Sequence, residues 1–92
     1  MNVTAKHILV KGKVQGVFFR KNTKQIATDL NVAGWVKNAG NGDVEIFAQA
    51  NEDAIEQLIE WCKQGPPRAE VKSVVVKDAS TDISITNFYI QH

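Results

Sequence analysis

The sequence has few of the residues that would cross-link a chain or bind a metal. It contains one cysteine, Cys62, in 92 residues, so no internal disulfide can form. Small secreted domains usually depend on such bridges, and a reducing cytoplasm is therefore the expected compartment. Histidine occurs only at His7 and His92, and Asp29, Asp43, Glu45, Glu52 and Asp53 show no metal-ligand spacing, so no metal is expected. No Ser/His/Asp set suggests a hydrolytic triad. Apolar runs are too short to span a bilayer, and Met1–Lys6 lacks the apolar core of a signal peptide, so no membrane association is expected. The net charge of +1 lacks the large basic excess of a general nucleic-acid binder. Internal repeats and low-complexity segments are missing as well.

What is present suits one domain over residues 1–92 with one modest core. A monomer is the expected state for so small a chain of mixed charge. Residues 5–14 alternate, with Ile8, Val10, Gly12 and Val14 on one face and His7, Leu9, Lys11 and Lys13 on the other. This period of two predicts a half-buried strand. Over 21–31 the period changes: Phe19, Thr23, Ile26, Ala27 and Leu30 make one apolar helical face. Asn22 is the expected N-cap, with Gln25 in capping-box spacing, and Asn31 the expected stop.

Residues 33–50 read as a β-hairpin around Gly40-Asn41-Gly42-Asp43. Asn51-Glu52-Asp53 opens a second helix with an apolar stripe of Ile55, Leu58, Ile59 and Cys62, and Gly65-Pro66-Pro67 closes it. Cys62 on that stripe reads as a buried small hydrophobe. Residues 70–77 form a further strand whose uneven alternation suggests a bulge, and 83–90 a weaker final strand. The order β-α-β-β-α-β with an appended strand predicts an α+β, ferredoxin-like sandwich, with an antiparallel sheet and two helices on one face.

One stretch organises the chain: Gly12, Lys13, Val14, Gln15, Gly16, Val17, Phe18, Phe19, Arg20. It joins the first strand to the first helix, and glycine there permits positive φ and close approach of a ligand. Backbone N–H groups converge at a helix start, where the dipole adds positive potential. The Arg20 guanidinium adds a planar fork of donors suited to an oxyanion. The stretch therefore reads as a cradle for a phosphate-sized anion, although many strand–glycine–helix turns bind nothing. It is no P-loop, because no Gly-Lys-Ser/Thr follows, and it lacks the third glycine of a dinucleotide fingerprint. Asn38, on pattern alone, reads as a turn residue leading into Gly40-Asn41-Gly42. His7 and His92 read as surface residues, and Trp35 and Phe47 as packing residues.

Gly12-Lys-Val-Gln-Gly-Val-Phe-Phe-Arg20 followed by Thr23 resembles the first signature of the acylphosphatases, and Gly34-Trp-Val-Lys-Asn38 with Gly42-Asp-Val-Glu45 the second. Gly65-Pro-Pro with Ala69 and Val71, and the late Phe88-x-Ile90, are similar to weaker features of the family. The resemblance covers nearly the whole chain. It implies hydrolysis of acyl phosphates to a carboxylate and inorganic phosphate, with no cofactor and no metal, and with phosphate as product and inhibitor. It also implies that Arg20 binds the phosphoryl group and that the amides of Gln15, Gly16, Val17, Phe18, Phe19 and Arg20 cradle its oxygens. Asn38 would position the attacking water. The Gln91-His92 ending departs from the basic or tyrosine ending of many members, which bears on packing or substrate contacts at the tail.

Two other function classes share features with this sequence. RNA-recognition domains share the element order and read bases with aromatics on central strands. Here the first strand has no aromatic and the third only Phe47, so no nucleic-acid partner is expected. Acylphosphatase-like domains also occur within larger proteins, where an accessory role is the alternative.

Overall fold

The structure is a computed structural model that describes residues 3–92; Met1 and Asn2, part of the N-terminal stretch read above for a signal peptide, lie outside it. The elements run β1 (Thr4–Lys13), α1 (Phe19–Asp29), β2 (Ala33–Asn38), β3 (Val44–Ala50), α2 (Glu52–Gln64), β4 (Glu70–Ala79) and β5 (Phe88–Ile90). They form one five-stranded sheet in the order β4-β1-β3-β2-β5. The first four strands pair antiparallel, and β5 joins the β2 edge in parallel, Trp35 opposite Tyr89. This is the expected ferredoxin-like α+β fold, with a mixed sheet once the appended strand is counted.

The alternating residues do what their period requires. Ile8, Val10, Val36, Val44, Ile46 and Ala48 are fully buried under the helices, against Ala27 of α1 and Ile55, Leu58 and Cys62 of α2. Each large side chain so buried contributes roughly 1.5–3 kcal/mol relative to exposure. On the open face His7 is half-buried, with Nε2 2.6 Å from Glu45 Oε2, and Trp35 stacks on Phe47 with ring centroids 6.2 Å apart. His7 is thus partnered rather than simply solvated. Gln49 fixes the 82–85 segment to this face: its Nε2 donates to the carbonyls of Asp82 (2.8 Å) and Ile85 (3.0 Å), and its Oε1 accepts from Asp82 N–H (2.8 Å).

Four local features refine the sequence reading. Asn22 lies inside α1, which begins three residues earlier, and its Nδ2 donates to the Phe18 carbonyl at 2.9 Å. Gln25 donates forward to Asp29 at 3.1 Å, so no capping box forms. The final strand is confined to Phe88–Ile90, because residues 82–85 turn back to meet Gln49. The bulge in β4 is real: Lys11 faces Ser73 and Gly12 faces Val71, leaving Lys72 as the extra residue. Gly12 serves this bulge. Its φ is 128°, and a Cβ there would lie 2.1 Å from the Glu70 carbonyl oxygen, so the position admits only glycine.

Candidate active site

The loop from Val14 to Phe18 is held from inside and from the side. Val14, Val17 and Phe19 are buried, and the Phe19 ring meets the Trp61 ring of α2 with centroids 5.3 Å apart. Thr23, one turn on, is fully buried and donates from Oγ1 to the Phe19 carbonyl at 2.7 Å. From the side, Gln15 Nε2 donates to the carbonyls of Ala39 and Asp43, both at 2.9 Å. One side chain therefore bridges the loop to both arms of the β2–β3 turn. The Asp43 carboxylate in turn receives Lys11 Nζ at 2.9 Å.

The conformation follows from these anchors. Gly16 has φ 72° with open space where a Cβ would be. Phe18 precedes α1 in the left-handed region (φ 62°, ψ 23°), and no side chain caps the helix start. No acidic residue occupies the first turn. The first N–H groups of α1 are therefore left without a side-chain acceptor, next to the positive end of the helix dipole. Arg20 is half-buried, and among the described residues no carboxylate pairs with it.

Beside this helix start lies a cavity of about 280 Å³. Arg20 and Lys21 give it positive charge; Gly16 lies on its loop side. Asn38 enters from the end of β2, and Ile90 and His92 from the far end of the chain. Val14, Phe18 and Phe19 supply apolar wall. The volume lies just below the roughly 300–1,000 Å³ typical of ligand pockets, a scale for a phosphate and a compact group attached to it. Asn38 and Arg20, eighteen positions apart, thus share one cavity because β2 ends where α1 begins. Among the described residues, no three His, Cys, Asp or Glu side chains converge as metal ligands, and no helix is long and apolar enough to cross a membrane.

Comparison with known proteins adds to this geometry. The Acylphosphatase family model matches residues 6–90. The chain belongs to the acylphosphatase family. Over 92 residues it is 40% identical to the acylphosphatase of Marinobacter nauticus, with all of both chains covered. The structure of an acylphosphatase from Coxiella burnetii superposes with a TM-score of 0.93 at 41% identity, covering 98% of this chain and 94% of that one. The crystal structure of the Bacillus subtilis acylphosphatase gives 0.92 at 34% identity, covering 99% and 100%. Membership carries the enzyme class: acylphosphatases hydrolyse acyl phosphates.

Within that acylphosphatase frame, the sequence-predicted residues divide by what they present. Gly16, Phe18, Phe19, Arg20 and Asn38 line the cavity. Gln15 and Val17 do not, one being spent on the hairpin clamp and the other on the core. Their peptide groups still belong to the loop. Ile90 and His92 were not anticipated at the cavity, since their place depends on β5 pairing with β2 across the whole chain. Cys62 is fully buried, and burial pushes its thiol up to about 12, so it holds its proton at neutral pH.

Proposed function

We propose that the chain hydrolyses the carboxyl–phosphate bond of small-molecule acyl phosphates at this cavity. The phosphoryl group is held by the Arg20 guanidinium and by the amides of Gln15, Gly16, Val17, Phe18, Phe19 and Arg20. Asn38 positions the water. The observation that carries this reading is the uncapped, acid-free start of α1 opening on a cavity that Arg20 and Asn38 both line.

The chemistry asks little more of the protein. An acyl phosphate expels a carboxylate, whose conjugate acid has a pKa of about 4. It leaves with the P–O bonding pair and needs no general acid. The water oxygen forms the new bond to phosphorus, and its protons pass to phosphate oxygen and solvent. What remains is alignment and stabilisation of charge on the equatorial oxygens. Preorganised amides and one guanidinium meet that charge. The Asn38 carboxamide is no base; it holds the water in line. Because these groups supply the stabilisation, the reaction proceeds without a metal or cofactor, and the phosphate product competes for the same cradle. A lone, buried cysteine suits a monomer working in a reducing cytoplasm.

Incubation with benzoyl phosphate in excess chelator tests the reading. Sustained hydrolysis with competitive inhibition by inorganic phosphate is expected. Activity abolished by chelator and restored by Mg²⁺ would reject the metal-free mechanism, and no hydrolysis under any condition would reject the reading of the site.

A further inference from the structure

Phe18 is placed where a packing residue would not be. It is 68% exposed while its loop neighbours Val17 and Phe19 are buried. Its backbone is left-handed, a region that bulky side chains rarely adopt. The strained residue is held there by its carbonyl, which accepts from Asn22 N–H at 3.1 Å and from Asn22 Nδ2 at 2.9 Å. The ring gains little core burial from this arrangement, yet it forms part of the cavity wall, as does the half-buried Ile90 from β5. Strain held at a ligand-facing position is a pointer to function.

We propose that the Phe18 ring and Ile90 form the subsite for the acyl group, and that this enzyme selects acyl phosphates with aromatic or branched apolar acyl groups over acetyl phosphate. The inference rests on the reading of the cavity as the acyl phosphate site. The geometry divides the substrate in two. Arg20, Lys21 and the helix start take the charged phosphoryl end. The acyl end extends from it along the apolar wall, where the exposed Phe18 ring and the half-buried Ile90 stand beside the buried Val14 and Phe19. An aromatic acyl group loses more water-exposed apolar area against these two than an acetyl group does. Phe18 is then a specificity-determining residue: its peptide N–H serves every substrate alike, and its side chain distinguishes among them.

The test is kcat/KM for benzoyl phosphate and for acetyl phosphate in the wild type, Phe18→Ala, Phe18→Tyr and Ile90→Ala. Intrinsic differences in reactivity between the substrates cancel when each variant's ratio is divided by that of the wild type. Phe18→Ala is expected to lower the benzoyl-to-acetyl ratio roughly tenfold, the scale on which apolar pocket contacts discriminate. Ile90→Ala should lower it less, and Phe18→Tyr should retain it. If Phe18→Ala fails to fold, Phe18→Leu provides the measurement, with an intermediate ratio expected. Unchanged ratios in both the Phe18 and Ile90 variants, with hydrolysis intact, would overturn the subsite and leave the parent reading standing. A folded wild type that hydrolyses neither compound would overturn the parent reading and the subsite with it.

Discussion

At the start of α2 the Asn51 side chain accepts from Ala54 N–H at 2.8 Å, and Glu52 and Asp53 occupy the first turn. At the start of α1 the corresponding residue is a left-handed Phe18 with no side-chain cap, no acid in the first turn, and Arg20 and Lys21 adding positive charge. The α2 design follows every rule for stabilising a helix end: a cap of this type is worth about 1 kcal/mol, and acids near the dipole about 0.3–1 kcal/mol each. The α1 design forgoes both and accepts backbone strain of roughly 1–3 kcal/mol. A bound oxyanion would supply what α1 lacks, since it offers acceptors to the free N–H groups and negative charge to the dipole. On the proposed reading, the difference separates a helix end made for stability from one held ready for a ligand.

The largest expected break in that comparison is Arg20→Ala. The guanidinium should contact substrate in both ground and transition states, so phosphate affinity and turnover should fall together, with turnover down by about a hundred- to a thousandfold. Arg20→Lys should rescue little, because an ammonium lacks the planar fork. Steady-state kinetics with phosphate as competitive inhibitor would read both effects. Next in size is Asn38→Ala, expected to lower turnover by on the order of a hundredfold. Since Asn38 should touch mainly the water, the phosphate inhibition constant should move far less than in Arg20→Ala. Equal loss of phosphate affinity in the two variants would reassign Asn38 to the cradle.

A paired exchange sharpens the contrast at smaller scale. Lys21→Glu puts an acid into the first turn of α1, as in α2, and should stabilise the fold by about 0.3–1 kcal/mol while weakening phosphate binding. Asn51→Ala removes the α2 cap and should cost about 1 kcal/mol with kcat/KM unchanged. Urea unfolding beside kinetics would check the crossed pattern of stability and function.

The smallest effect is expected at Cys62. Native protein should keep its activity in alkylating reagent at neutral pH, because burial raises the thiol to about 12. The folded state holds this proton more tightly than the unfolded chain, whose thiol titrates near 9. The contribution is therefore fully present below pH 9 and is lost as pH rises through the interval to about 12. Rapid inactivation at neutral pH, blocked by phosphate, would place the thiol near the site.

These helix ends also explain what the sequence made legible. The hairpin, α2 with its Asn51 cap and Gly65 stop, and the β4 bulge follow local rules, so their residues declare them. The start of α1 breaks those rules. Asn22 and Gln25 mimic a capping box, yet the helix begins earlier, because Phe19 is anchored in the core against Trp61 and Phe18 turns left-handed before it. The chemistry of Arg20 and the loop suggested an anion cradle, and Gly16, Phe18, Phe19 and Arg20 do line one cavity. Their proximity to Asn38 was not, since it depends on where β2 ends in the sheet. The third wall, Ile90 and His92, follows from the parallel pairing of β5 with β2, a contact with no local signal in the sequence.

The most direct test of the central claim, that the start of α1 is an anion site and the start of α2 is not, is a backbone amide NMR titration with inorganic phosphate, run beside phosphate inhibition of benzoyl phosphate hydrolysis. The account predicts saturable shifts at the amides of Gln15 to Arg20, with a dissociation constant matching the inhibition constant, and still amides at Glu52 to Ala54. Inhibition by phosphate with unmoved Gln15–Arg20 amides, or equal shifts at both helix starts, would contradict it.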